Sequence, residues 1–140
     1  MTDLVIDASV AIKWVIEEHG TREALSLRRH RLFAPEVLVA ECANVLWKKT
    51  RRNELTANEA GLAARLLQRA DVELVPMRAL LEPATGLAIA MDHPAYDCTY
   101  LALAESLSCD LVTADYKLSA KPLPAGYKAK VLGLTTGALP

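Results

Sequence analysis

The chain has 140 residues, about half of them apolar and 5% aromatic, with a net charge of −1. That length suits one domain spanning 1–140 with a sizeable core, and the composition excludes a polycation and a disordered or low-complexity array. No apolar run approaches a membrane span, and Met1-Thr2-Asp3 lacks the basic start of a signal peptide, so a cytoplasmic protein without membrane attachment is expected. Leu4-Val5-Ile6 is a short apolar run ending in Asp7, read as a strand buried on both faces. Ser9 then reads as the N-cap of a helix from Val10 to about Glu18. Thr21–Arg31 suggests a second helix, and Leu32-Phe33-Ala34 a second strand ended by Pro35.

From Pro35 to about Arg51 the pattern is helical, with proline at the first turn and a basic end suited to the helix dipole. Val37, Leu38, Glu41, Val45 and Lys48 share a stripe, with Asn44 three residues beyond Glu41. Taken alone, Glu41 reads most simply as an ion pair with Lys48 or another basic group. Thr56-Ala57-Asn58-Glu59 is a capping box opening a helix to about Ala70, with Leu62, Leu66 and Leu67 on one side. Val72–Val75 reads as a third strand and Leu80–Met91 as another helix. A further helix starts near Pro94 and ends near Leu107, placing Asp97 in its first turn and Tyr100, Leu101 and Ala104 on the same face. Leu111-Val112-Thr113, followed by Ala114-Asp115, reads as a fourth strand and Val131–Leu134 as a fifth. Short strands alternating with helices predict an α/β domain with a mainly parallel sheet.

Asp7 and Asp115 therefore stand just beyond the carboxyl ends of two strands, the edge where open parallel sheets bind ligands. Asp97 has two readings: a carboxylate favoured by a helix N-terminus, or an inward ligand heading an apolar row. If Asp7, Glu41, Asp97 and Asp115 meet, repulsion of roughly 4 kcal/mol per close pair demands a cation. An all-oxygen set suits Mg²⁺ or Mn²⁺. Ser9 and Thr113 supply hydroxyls able to orient a water or a carboxylate, against the simpler readings of helix cap and strand residue. Asn44 is as readily a surface amide as a site residue. His93 is read as a helix cap, and Trp14, Trp47, Tyr96 and Tyr100 as core or interface. Cys42, Cys98 and Cys109 lack C-x-x-C spacing and read as free reduced thiols. Arg28, Arg29, Arg31, Lys48, Lys49, Arg51 and Arg52 crowd one quarter of the chain, a candidate polyanion patch.

Four segments together resemble the PIN-domain family, most nearly its VapC-type ribonuclease toxins: Val5-Ile6-Asp7-Ala8-Ser9; Ala34-Pro35-Glu36 through Glu41-Cys42-Ala43-Asn44; His93-Pro94-Ala95-Tyr96-Asp97-Cys98 with Tyr100–Ala104; and Leu111-Val112-Thr113-Ala114-Asp115. The resemblance implies a three-layer α/β/α fold with about five short strands, and a homodimer. It implies an Mg²⁺- or Mn²⁺-dependent endoribonuclease neutralised by a cognate antitoxin, with RNA as substrate. Asp7, Glu41, Asp97 and Asp115 match the family's acidic quartet, and Thr113 a secondary polar position. In that reading Asp7, Asp97 and Asp115 hold the ion, while Glu41 positions a water or a second ion. The resemblance assigns no role to the lysines after Asp115. An alternative of another class is a non-catalytic PIN-like module that binds RNA or protein.

Overall fold

Each of the five runs read as strands forms one in the computed structural model, which describes all of residues 1–140: β1 Asp3–Ile6, β2 Arg31–Pro35, β3 Glu73–Val75, β4 Asp110–Thr113 and β5 Val131–Gly133. Every pairing is parallel, in the order β3-β2-β1-β4-β5. Leu4, Val5, Ile6, Leu111 and Val112 are buried in the two central strands, as continuous apolar runs covered on both faces should be. The chain moves outward from β1 to β3, then returns to place β4 on the other side of β1. With right-handed crossovers, that reversal sends successive helices to opposite faces of the sheet. It also makes the β1/β4 junction the switch point, where a crevice opens beyond the strand ends.

Helices α1 (Ala8–Ala11), α2 (Thr21–Ser26), α3 (Val37–Arg51) and α4 (Ala57–Gln68) belong to the outward half. Helices α5 (Leu81–Met91), α6 (Ala95–Ser106) and α7 (Tyr116–Ala120) belong to the return. α3 packs on α1 and α4, whereas α6 packs on α5 and across β1, β2 and β4. The α6 side chains Cys98, Tyr100, Leu101, Leu103 and Ala104 are buried, so this helix is a core element rather than an amphipathic cover. The result is the expected α/β architecture, with the sheet between helical layers. No helix is long and apolar enough to cross a membrane.

The departures from expectation lie at element ends. The first helix is capped by Asp7, whose backbone is extended and whose carboxylate accepts the Val10 N–H; Ser9 lies inside the helix. It lasts one turn and tightens to a 3₁₀ turn over Ile12–Trp14 instead of reaching Glu18. Thr21 stops it, accepting the Glu18 N–H at 2.9 Å and donating to the Ile16 carbonyl at 3.2 Å. α2 likewise gives way to a 3₁₀ turn at Leu27–Arg29, because Arg31 already pairs with Asp3 in the sheet. Pro35 is the last residue of β2, opposite Val75, and not the first turn of α3. The capping box at Thr56 and Glu59 forms as read. Leu62 and Leu66 remain about half exposed, however, and α4 buries only Ala63 fully.

Candidate active site

Asp7 is the centre of the site. It is 7% exposed, yet its carboxylate is fully engaged: Ser9 Oγ donates to Oδ1 at 2.5 Å and Thr113 Oγ1 donates to Oδ2 at 2.5 Å. The two hydroxyls also lock the ends of β1 and β4 together. Ser9 Oγ accepts the Ala114 N–H at 2.9 Å, and Thr113 Oγ1 accepts the Asp115 N–H at 3.0 Å. Ser9 is thus a clamp across the switch point rather than a helix cap. Burial is the main force pushing the Asp7 carboxyl up to about 6, opposed by the two hydroxyls and reinforced by the charge of Asp97.

Glu41 projects from the middle of α3 and is partly buried. Its partner is not Lys48: the fully buried Tyr100 hydroxyl of α6 donates to Oε1, joining the two helical layers. Burial raises the Glu41 carboxyl, Tyr100 counteracts this, and Asp97 raises it further. The Tyr100 hydroxyl is itself raised, by burial first, then by the bond to Glu41 and the charges of Glu41 and Asp7. Cys42 beside it is pushed up to about 12 by burial and by Glu41 and Asp7. The charge of Asp97 therefore acts on both Asp7 and Glu41.

Asp97, in the first turn of α6, accepts a 2.6 Å hydrogen bond at Oδ2 from the His93 ring; His93 is a side-chain partner, not the helix cap. Asp115 sits at the exposed rim, where its carboxylate caps α7 by accepting the Lys117 N–H at 2.9 Å. Asn44 is exposed on α3 and joins none of these hydrogen bonds. No three of the acidic, histidine or cysteine side chains stand close enough to enclose an ion as arranged. The donor chemistry nonetheless fits a hard divalent cation. The donors are all oxygens, and the Asp7 and Glu41 carboxyls hold protons more tightly than usual, through burial first and the neighbouring charge of Asp97 second.

The basic residues separate into two groups. Arg28, Arg29 and Arg31 lie at the amino ends of the strands, roughly 13 Å of strand away from the site edge. There Arg31 approaches Asp3 at 3.8 Å and Arg28 covers Trp14. Lys48, Lys49 and Arg52, at the end of α3, line a groove of about 410 Å³ that also includes Ser9 and Asp115. Lys49 is held by Glu18 at 3.0 Å, while Lys48 and Arg52 have no acidic partner. Arg51 instead lies over the exposed Trp47 ring.

Tyr100 and His93 are the partners that sequence patterning missed. Each lies three or four residues from Asp97, and a buried tyrosine hydroxyl requires a partner. That requirement was the available signal.

Residues 4–122 match the sequence profile of the family described as PIN domain. The chain belongs to the PIN-domain family. It is 33% identical over 116 residues to ribonuclease VapC9 of Mycobacterium tuberculosis, covering 83% of this chain and 88% of that one. Ribonuclease VapC3 of Pyrobaculum aerophilum is 32% identical over 122 residues, covering 84% and 93%. Among solved structures, M. tuberculosis VapC20, described as a sarcin-ricin loop cleaving toxin, superposes with a TM-score of 0.65 at 17% identity, over 91% of this chain and 98% of that one. In this chain Asp7 follows β1 and Asp115 follows β4, the two strands between which the strand order reverses.

Proposed function

We propose that this PIN-domain protein is a VapC-type toxin: a metal-dependent endoribonuclease held in check by a cognate antitoxin. The observation that carries the reading is the cluster of Asp7, Glu41 and Asp97 at the switch point, each pinned by a hydroxyl or an imidazole. Asp7 and Asp97, with Asp115 at the rim, would supply carboxylate oxygens to Mg²⁺ or Mn²⁺, and Glu41 would orient a water or a second ion. Such an ion, when bound, activates water for in-line attack on a phosphodiester and offsets the negative charge that develops. Ser9 and Thr113 keep the Asp7 oxygens in place, and Tyr100 keeps Glu41 from turning to solvent. Such prior positioning counts because small displacements at a reacting centre cost large factors in rate.

Attack by water in line with the 3′-oxygen, whose bond to phosphorus breaks as it leaves, gives 5′-phosphate and 3′-hydroxyl ends. Incubating the protein with RNA and Mn²⁺ and mapping the ends checks this; 2′,3′-cyclic phosphates, or undiminished cleavage in EDTA, would reject it. Lys48 and Arg52 bind the RNA backbone along the groove beside Asp115. Replacing both by alanine should weaken RNA binding and flatten the plot of log affinity against log salt by about 1.4, two contacts at roughly 0.7 each. Replacing Arg28 and Arg29 should leave that slope unchanged.

The antitoxin reading has its own support in surface chemistry. An apolar cavity of about 470 Å³ opens between α1, α3 and α4, with Val39 and Leu74 exposed at its edge. Apolar surface of that kind suits the nonpolar face of a partner segment. A homodimer is part of the same proposal, and sedimentation of the isolated chain tests it.

A further inference from the structure

Lys121 is the first residue after α7, in the part of the chain to which the resemblance assigns nothing. Its ammonium reaches back to the α5–α6 turn, donating to the Asp92 carbonyl at 3.0 Å and lying 3.4 Å from His93 Nδ1. The opposite nitrogen of the same ring, Nε2, lies 2.6 Å from Asp97 Oδ2. The His93 side chain is only 10% exposed, so the ring has little freedom to find other partners.

The donor inventory turns this geometry into a direction. An ammonium has three N–H donors and no acceptor, so it approaches a ring nitrogen only at a lone pair. Nδ1 is therefore the acceptor and Nε2 carries the proton. The carboxylate at Nε2 demands the same arrangement, since it can only accept. Both ends of the ring thus select one tautomer. The Asp92 carbonyl fixes the ammonium, the ammonium fixes the ring, and the ring occupies Oδ2 of Asp97. Oδ1 is left for the site.

We propose that Lys121 and His93 are positioning residues for Asp97. Lys121 holds His93 as its Nε2–H tautomer, and His93 orients the carboxylate so that one chosen oxygen faces the ion site. The proposal rests on the reading of Asp97 as a metal ligand, and it adds a reason for residues beyond Asp115 to matter to the site. Outer partners that orient a ligand typically alter metal affinity by about 10–100-fold when removed. A lysine serving only to tie down the α7 segment would change stability but not the state of the imidazole.

Two measurements on the full chain decide it. Long-range ¹⁵N–¹H correlation spectra of the metal-free protein report which ring nitrogen of His93 is protonated. Calorimetric titration with Mn²⁺ alone reports affinity. The wild type should show the Nε2–H pattern. Lys121→Met removes one of the two constraints, so it should admit a minor population of the Nδ1–H tautomer beside the Nε2–H form that Asp97 still favours, and lower Mn²⁺ affinity by about 10-fold; Lys121→Arg, which keeps a donor, should restore both. His93→Ala should weaken Mn²⁺ binding by about 10–100-fold, and His93→Gln, with an amide donor in place of Nε2–H, should recover most of it. An unchanged tautomer and affinity in Lys121→Met would overturn the role of Lys121. Wild-type affinity in His93→Ala would overturn that of His93. A wild type that binds no Mn²⁺ would instead overturn the ion-site reading, while the spectra still decide the tautomer. Amide spectra of each variant verify folding, and the partial exposure of Lys121 makes its replacements mild.

Discussion

Replacing Asp97 by asparagine should lower metal-dependent RNA cleavage about a hundred-fold or more without unfolding the protein. The substitution is close to isosteric, and the side chain is 28% exposed, so no core cavity results. The amide oxygen can still accept from His93, so what is lost is charge, and Asp97 is the residue whose charge reaches both Asp7 and Glu41. Removing it takes one anionic oxygen ligand from the site, where ion binding is worth several kcal/mol to the transition state. At about 1.36 kcal/mol per decade, several kcal/mol is a factor of a hundred or more. Initial rates with Mn²⁺, accompanied by a thermal melt, provide the measurement; equal rates in the two proteins would remove Asp97 from the site. The same variant should lower the carboxyl pKa values of Asp7 and Glu41, because a repelling neighbour has gone.

The second large effect concerns stability and pH. The Asp7 carboxyl is raised from 3.8 to about 6, chiefly by burial. The folded state therefore binds this proton more tightly than the unfolded chain, and between those two values it holds more protons. Stability from this group is fully present below about pH 4 and falls as pH rises towards 6, by roughly 3 kcal/mol in all. Glu41, also raised, acts in the same direction. Glu18 acts oppositely: its burial is outweighed by Lys49 and Lys13, its carboxyl is lowered, and its contribution is lost as pH falls below the usual glutamate range. Above pH 6 the metal-free protein thus carries a buried carboxylate that has hydroxyl and N–H donors but no ion-pair partner. Added Mn²⁺ should stabilise it strongly at pH 7.5, by about 2.7 kcal/mol at a hundred times the dissociation constant, and far less at pH 5. Calorimetric melts at both pH values with and without Mn²⁺ test this. Stabilisation equal at the two pH values would exclude Asp7 as the group that titrates. Asp7→Asn should remove most of the response.

Strand-forming segments were legible because most are short apolar runs bounded by turn residues, and the central pair must be apolar on both faces; β3, with Glu73 in it, is the exception. Asp7, Asp97 and Asp115 were legible because a strand or helix boundary next to a carboxylate is a local event. Helix ends were less so. The Asp7 carboxylate took the cap expected of Ser9, and Thr21 ended the first helix through hydrogen bonds to residues three and five positions away. α4 shows the opposite limit: its leucine spacing is regular, yet nothing in spacing tells whether another element covers that face.

What the residues by themselves determined is the alternation of strands and helices, the family, and three acids at element boundaries. Those follow from periodicity, capping chemistry and the order of motifs, all of which act over a few neighbouring positions. Only the tertiary structure decided which acids feel one another and what holds them. Ser9 to Thr113, Glu41 to Tyr100 and His93 to Lys121 are pairs separated by 104, 59 and 28 positions. Strand order makes such pairs: β4 returns beside β1, and α6 crosses behind both. It also divided the basic quarter of the chain, leaving Arg28, Arg29 and Arg31 at the far edge of the sheet and Lys48 and Arg52 beside the site. A run of charge in sequence carries no information about which end of a strand it will occupy.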